Sequence, residues 1–269
     1  MTRWSAELAT ISSLLLKHYA FPEVASRIVA SLGDFSECLD EQAFAEAVTP
    51  VLRSVNGDKH LTLDFGKLEP MSVRAARDGH GVTVSRLPDR VALVEIRRFW
   101  PASISGAFVT AAMSAVADAS TLILDLRRNV GGEPDTLLLV ASCLFDRPTA
   151  LSSLYFPSSG VTERLVTSPV PGFGGAKPVF VLTSASTFSG GEALAYDLQQ
   201  CGRATVVGET TAGGANFGDY HAVTDQLDLS VPDGYPVNPI SGTNWEGVGV
   251  RPDIPVPAAD ALKVATSQS

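Results

Sequence analysis

Pro178-Val-Phe-Val-Leu-Thr183, followed within a few residues by Thr187-Phe-Ser-Gly-Gly-Glu192, decides how this chain folds. An unbroken apolar run of strand length meets a glycine-rich turn, and a helical pattern from Gly190 to Gln200 begins at once. A buried strand therefore feeds through a turn into a helix. Ser189 stands at the mouth of that helix, where backbone N–H groups lack intrahelical partners and the macrodipole is positive. An oxygen nucleophile placed there has a ready environment for the negative charge that develops on an attacked carbonyl. The same spacing also reads as a plain helix cap, with Glu192 three residues after Ser189 completing a capping box. Taken alone, the spacing favours the cap; the rest of the chain decides between the two.

Outward from this segment the alternation repeats. Ser105 to Ala119 is helical, Thr121-Leu-Ile-Leu-Asp125 is a strand, Glu133 to Phe145 is helical, and Ala204-Thr-Val-Val-Gly208 is a strand. Alternating elements predict an α/β fold with right-handed crossovers and a largely parallel central sheet. The strands are apolar throughout rather than alternating, as expected of a sheet covered on both faces. Earlier, Leu61 to Phe65, Gly81 to Ser85 and Val91 to Ile96 read as further strands. Before them Leu8, Ile11 and Leu15, then Val24, Ile28 and Leu32, recur at helical steps. Asp40 opens a third helix carrying Phe44, Val48 and Leu52, ended by Asn56-Gly57. The expected organisation is a small helical bundle over 1–57 and an α/β domain over 58–269. Ser152 to Lys177, rich in Ser, Pro and Gly, is expected to be a long surface excursion bordering a cleft.

Composition narrows the function. With 20 basic against 29 acidic residues the net charge is −9, and no Lys/Arg cluster exceeds a pair such as Arg97-Arg98. Nucleic acid is therefore not an expected partner. Cys38, Cys143 and Cys201 are scattered without CxxC spacing, and the four histidines show no ligand spacing, so neither a disulfide framework nor a metal site is expected. No cofactor motif is present, since neither GxGxxG nor GxxxxGK[ST] occurs. The N-terminus lacks an apolar signal core and no run reaches transmembrane length, so the expected location is cytoplasmic, or periplasmic if a leader has been removed. A homo-oligomer is compatible with the sequence.

A second unusual segment is Asp125-Leu-Arg-Arg-Asn-Val-Gly-Gly-Glu-Pro134, which follows a strand and precedes a helix. In a parallel sheet such a loop lies at the carboxyl edge, where ligands bind. Gly131 and Gly132 let backbone approach a substrate, and Asn129 and Arg127 are candidates to brace the loop. The plain alternative is a tight strand-to-helix connection with Pro134 in the first helical turn. If Asp125 and Thr183 end at the same sheet edge, the amide of Gly190 and one from Gly131 or Gly132 form an oxyanion hole beside Ser189. The serine needs a base, for which His60 is the candidate, although a lone histidine is more often structural. Glu246, in Thr243-Asn-Trp-Glu-Gly-Val-Gly249, is the carboxylate expected to orient it, with Glu192 and Glu209 as rivals.

These segments resemble the S41 serine peptidases, the group that contains the carboxy-terminal processing proteases, the tricorn core and the modules of interphotoreceptor retinoid-binding protein. The matching stretches are Leu124 to Gly132, Val181 to Glu192, Ala204 to Gly213 and Gly247 to Asp253, in the family's order. The N-terminal helices and Asp58-Lys-His60 are most similar to the retinoid-binding-protein and tricorn branches. The resemblance implies a crotonase/ClpP-like α/β core, metal-independent hydrolysis and Ser189 as nucleophile. Two departures matter. Processing proteases pair the serine with a lysine 25 residues later, and here that position is Gly214, so a Ser–Lys dyad is excluded. Tricorn-like members carry a serine before the histidine, where this chain has Lys59, and no stretch resembles a PDZ insert.

The sequence thus leads to a serine peptidase acting on peptides or unfolded protein, with Ser189, His60 and Glu246 as its relay. Gly190 with Gly131 or Gly132 would form the oxyanion hole, and Asn129, Arg127 and Glu192 would support it. The competing expectation is a non-catalytic module of the same fold that carries apolar ligands. A crotonase-type acyl-CoA enzyme ranks last, because it gives no role to Ser189 and Glu192.

Overall fold

A computed structural model describes residues 3–67 and 69–268. In chain order it contains α1 (Ser5–His18), α2 (Pro22–Ser31), α3 (Glu41–Arg53), β1 (Thr62–Phe65), α4 (Met71–Arg77), β2 (Val82–Arg86), β3 (Val91–Ile96) and α5 (Ala102–Ala115). There follow β4 (Thr121–Asp125), α6 (Pro134–Ser142), β5 (Ala150–Phe156), β6 (Val161–Val166), β7 (Val179–Thr183) and α7 (Gly190–Gln200). The chain ends with β8 (Thr205–Gly208), β9 (Phe217–Ala222), β10 (Leu227–Val237), β11 (Ile254–Pro255) and α8 (Ala258–Ser267). It divides into two compact units, one of Met1–Leu68, Leu154–Glu163 and Asn216–Pro236, the other of Glu69–Ser153, Arg164–Ala215 and Val237–Ser269.

In the first unit, helices α1 to α3 share one core with β1 and β10. Ile11, Leu15, Ile28, Phe44, Val48 and Leu52 pack with Leu61, Leu63, Leu227, Leu229 and Val231. Helix α3 starts where the Asp40 carboxylate accepts the Ala43 N–H at 2.8 Å, a cap of the kind its position implied. Its Phe44, Val48 and Leu52 recur every four residues and so share the buried face. Strand β1 pairs antiparallel with β10, and β9 pairs with β10 as well, in a sheet ordered β1-β10-β5-β6. Side chains of α3 satisfy the backbone of the β1 segment that β10 leaves unpaired. Leu63 N–H donates to Thr49 Oγ1 at 3.0 Å, and Arg53 Nε donates to Leu61 O at 2.9 Å. An edge closed in this way cannot recruit a further strand there.

The second unit is built on a six-stranded sheet in the order β11-β8-β7-β4-β3-β2, parallel except for the edge strand β2. Every residue of β4 and β7 is buried. Successive side chains feed opposite faces: Leu122 and Leu124 join a core with α5, α6 and α7, whereas Ile123, Phe180 and Leu182 pack with Ala261 and Ala265 of α8. Helices on both faces explain why these strands are apolar without alternation. The register sets Asp125 opposite Leu182 and Thr183 opposite Gly208, so β4, β7 and β8 end along one carboxyl edge.

One stretch differs from expectation. Residues 152–177 are not simply an excursion, because they hold most of β5 and all of β6. Nor does the sequence reading above include β9 and β10, although Leu227, Leu229 and Val231 alternate with polar residues as a half-buried strand requires.

Candidate active site

At the carboxyl edge of β7 the chain turns sharply before α7. Ser189, the residue in the turn, has φ 53° and ψ −119°, a region that L-residues rarely adopt and that costs about 1–3 kcal/mol. The surrounding bonds impose it. Phe188 N–H donates to Asn129 O at 3.0 Å, Gly191 N–H to Phe188 O at 3.0 Å, and Ala193 N–H to Ser189 O at 2.9 Å. Hydroxyls tie the turn to the loop after β4: Thr187 Oγ1 donates to Leu126 O at 2.8 Å and Ser184 Oγ to Arg127 O at 2.6 Å. A strained, half-buried serine at a strand-to-helix turn has the backbone geometry of a nucleophile elbow.

The loop after β4 closes on this serine. Gly131 has φ 94°, and a Cβ added there would lie 2.7 Å from Ser189 Cβ and 3.1 Å from its Oγ. Gly132, at φ 127°, would place a Cβ 2.0 Å from Phe99 O. Only glycine fits either position. Buried Asn129 holds the loop from within, its Nδ2 donating to Ile96 O at 2.9 Å and its Oδ1 accepting Gly131 N–H at 2.7 Å. That bond engages the Gly131 amide. Among the described residues the amides of Gly132 and Gly190 carry no hydrogen bond within the protein, and a Cβ on Gly190 would sit 3.2 Å from Gly132 N. Arg127 braces the base of the loop instead of facing the serine. Its guanidinium pairs with Asp125 and donates to Ala258 O at 2.8 Å, and it lines a cavity of about 540 Å³ beside α8.

Two carboxylates grip the loop after β8. Glu192 is fully buried. Its Oε1 accepts Thr211 Oγ1 at 2.5 Å and Gly213 N–H at 2.6 Å, and its Oε2 accepts Ser189 N–H and Gly214 N–H, both at 2.9 Å. Burial pushes its pKa up, while these four donors oppose the rise. The carboxylate thus acts as a rivet joining the serine turn to the loop at Thr211–Gly214. Glu246 continues the pattern by accepting the next amide, Ala215 N–H, at 2.5 Å, and Trp245 Nε1 donates to Gly214 O at 3.1 Å. The rival Glu209 spends its carboxylate on the amides of Ala185 and Ala258.

His60 belongs to the first unit, in the turn between α3 and β1. Arg53 clamps the chain on both sides of it, donating to Lys59 O and to Leu61 O, each at 2.9 Å. Its own N–H donates to Asp58 Oδ1 at 3.0 Å. Burial lowers its pKa to about 4, against the opposing pull of the Asp58 charge, with Arg53 lowering it further. The imidazole is therefore neutral at neutral pH, the state a general base requires. Lys59 beside it is exposed. Asp58 is the residue that sequence reasoning passed over; its signal was an acidic residue two positions before the histidine.

Comparison with known proteins bears on this arrangement. A model of peptidase family S41 matches residues 90–256. The chain belongs to peptidase family S41. That match contains Ser189, the glycine loop, Glu192 and Glu246, and leaves His60 outside. Among solved structures, a lipoprotein from Streptococcus agalactiae aligns over 98% of this chain and 96% of its own, at 17% identity and a TM-score of 0.70. A Parabacteroides merdae protein aligns over 98% and 95%, at 16% identity and a TM-score of 0.68. The photosystem II D1 C-terminal processing protease aligns over 96% and 94%, at 14% identity and a TM-score of 0.58. At such identities the likeness is one of fold. This S41 chain is a serine-type peptidase with the mixed α/β architecture described above. No described helix is long and apolar enough to cross a membrane.

Proposed function

We propose that the protein hydrolyses peptide bonds in short or unfolded peptides, with Ser189 as nucleophile, His60 as base and Glu246 as supporting carboxylate. The observation that carries this reading is the strained backbone of Ser189 with Gly131 closed against it. Ser189 also completes a capping box with Glu192, but capping alone does not call for a serine held at that energetic cost. In the proposed reaction Ser189 Oγ attacks the peptide carbonyl carbon while His60 takes the hydroxyl proton. The oxyanion is received by the amides of Gly132 and Gly190. Collapse expels the amine, which takes the proton from His60, and water then hydrolyses the acyl-enzyme by the same route. His60 starts neutral, as a proton acceptor must, while burial weakens its basicity and the Asp58 charge works against that weakening. The test is labelling of the intact protein with a fluorophosphonate probe, read by mass spectrometry, beside Ser189→Ala and His60→Ala. An adduct on Ser189 that fades in the histidine variant supports the relay. A folded protein that takes no adduct refutes it.

A further inference from the structure

The relay above leaves one fully buried carboxylate without a role. Asp58 is 0% exposed, and three donors converge on it from separate parts of the first unit. Tyr19 Oη donates to its Oδ2 at 2.9 Å and Asn216 Nδ2 to the same oxygen at 2.8 Å, while His60 N–H donates to Oδ1 at 3.0 Å. Asn56 Nδ2 steadies the tyrosine, donating to its Oη at 2.7 Å. The bond from Asp58 to the amide two residues on makes an Asx turn of Asp58-Lys59-His60 and fixes where the histidine leaves the backbone. Among the described residues no lysine or arginine forms a salt bridge with Asp58.

Burying a charge is expensive unless it is hydrogen-bonded, and the three donors offset that cost. Asp197 makes an instructive contrast. It is also buried, accepting Ser152 N–H and Oγ and Asn238 Nδ2, but it lies within helix α7 and its acceptor bonds reach across to β5 and the loop after β10, with no histidine beside it. Asp197 is explained as structure alone, whereas Asp58 holds the candidate base.

We propose that Asp58 is the positioning residue for His60, holding the turn that carries the imidazole and supplying the negative charge that its protonated form meets. The inference rests on the reading of His60 as the base. Asp58 touches no substrate and acts only through the histidine. Its charge favours the imidazolium formed when Ser189 gives up its proton, and its turn keeps the ring in one place as that charge appears and disappears.

The experiment is a double-mutant cycle on the full chain, read as the rate of Ser189 labelling by the fluorophosphonate probe at pH 7.5, with melting followed in parallel. Asp58→Asn keeps the size and an acceptor for the turn but removes the charge. It is expected to slow labelling about tenfold or more, and Asp58→Asn in a His60→Ala background is expected to label no more slowly than His60→Ala alone. A merely structural aspartate would lower the melting temperature and slow both backgrounds alike. Equal rates for Asp58→Asn and the parent, or equal slowing in both backgrounds, overturn the inference while leaving the Ser189–His60 relay standing. If His60→Ala labels as fast as the parent, the relay fails and the inference falls with it. Should Asp58→Asn not fold, Tyr19→Phe and Asn216→Ala each remove one donor. Each is then expected to slow labelling severalfold in the parent and not in the His60→Ala background, and no slowing by either overturns the proposal.

Discussion

Replacing Gly131 by alanine adds one methyl group at the most crowded point of the serine turn. Two costs follow from the structure. Alanine at φ 94° is strained by roughly 1–2 kcal/mol. Its Cβ would meet Ser189 Cβ at 2.7 Å, where carbon atoms prefer about 3.5–4.0 Å, so nearly an ångström must be found by moving the serine or the loop. Overpacking of this kind costs about 1–3 kcal/mol. The sum, about 2–5 kcal/mol, is smaller than most domain stabilities and lowers Tm by roughly 5–15 °C. The effect on catalysis is expected to be larger, because a displacement of ~1 Å at the proposed nucleophile costs on the order of 100-fold in rate. Gly160→Ala is the control: it has a similar positive φ of 68° and nothing within 4 Å of its added Cβ. The control should lose about 1 kcal/mol and keep full activity. The assays are thermal unfolding and kcat/KM on a peptide substrate. A Gly131→Ala protein with unchanged kcat/KM would show that the glycine loop does not set the position of Ser189.

The backbone strain at Ser189 predicts that Ser189→Gly abolishes peptidase activity yet raises stability by about 1 kcal/mol, which denaturant unfolding would register. Removing the rivet by Glu192→Ala orphans the amides of Ser189, Gly213 and Gly214 together with Thr211 Oγ1. At about 1–3 kcal/mol for each buried donor that water cannot reach, the four together predict a loss of at least about 4 kcal/mol in urea titration. For His60 the sign follows from a folded pKa of about 4, below the ordinary value of 6.5. Above pH 6.5 both states are neutral and the group adds no slope. Between the two values the unfolded chain binds the proton first, so stability falls with falling pH, by about 3 kcal/mol in all. His60→Gln should remove that slope between pH 7 and pH 4 in parallel unfolding series. The acid limb of Ser189 labelling should likewise lie nearer pH 4 than 6.5.

The α/β core was legible because its signals are local. Val179–Thr183 and Thr121–Asp125 are apolar runs closed by turn residues, and the tight loops after them demand glycines that the sequence displays. Ser189 and Glu192 were legible together by spacing, and the capping box it implied is present; spacing does not show that the same serine carries the strained backbone of an elbow. What stayed hidden depends on contacts between distant residues. Gly131 and Gly132 looked interchangeable as oxyanion donors until Asn129 Oδ1 was found on the amide of Gly131. Arg127 could be read as a brace but not as one directed to α8, because its partner carbonyl is 131 residues away. Strand β10 carries a plain alternating pattern, yet its partner β1 lies more than a hundred and fifty residues earlier, a pairing that no local pattern announces.

Position 214 gives a physical argument against a lysine at that place in this chain. The missing lysine is more than a substitution of one side chain. A Cβ at residue 214 would fall 2.1 Å from Phe188 Cε2 and 2.7 Å from Cζ of the same ring, and Phe188 is the neighbour of Ser189. Gly214 is also pinned from two sides, its N–H by Glu192 at 2.9 Å and its carbonyl by Trp245 Nε1 at 3.1 Å. Introducing Gly214→Lys would thus displace the Phe188 ring, the side chain next to Ser189. The same loop is gripped by a buried carboxylate that would hold a nearby ammonium in its charged, non-basic form. Gly214→Lys in the His60→Ala background is accordingly expected to stay inactive and to melt at a lower temperature than His60→Ala alone. Restoration of Ser189 labelling in that double variant would refute the packing argument, since it would mean that the Phe188 ring gives way and that the base can be supplied from residue 214 after all.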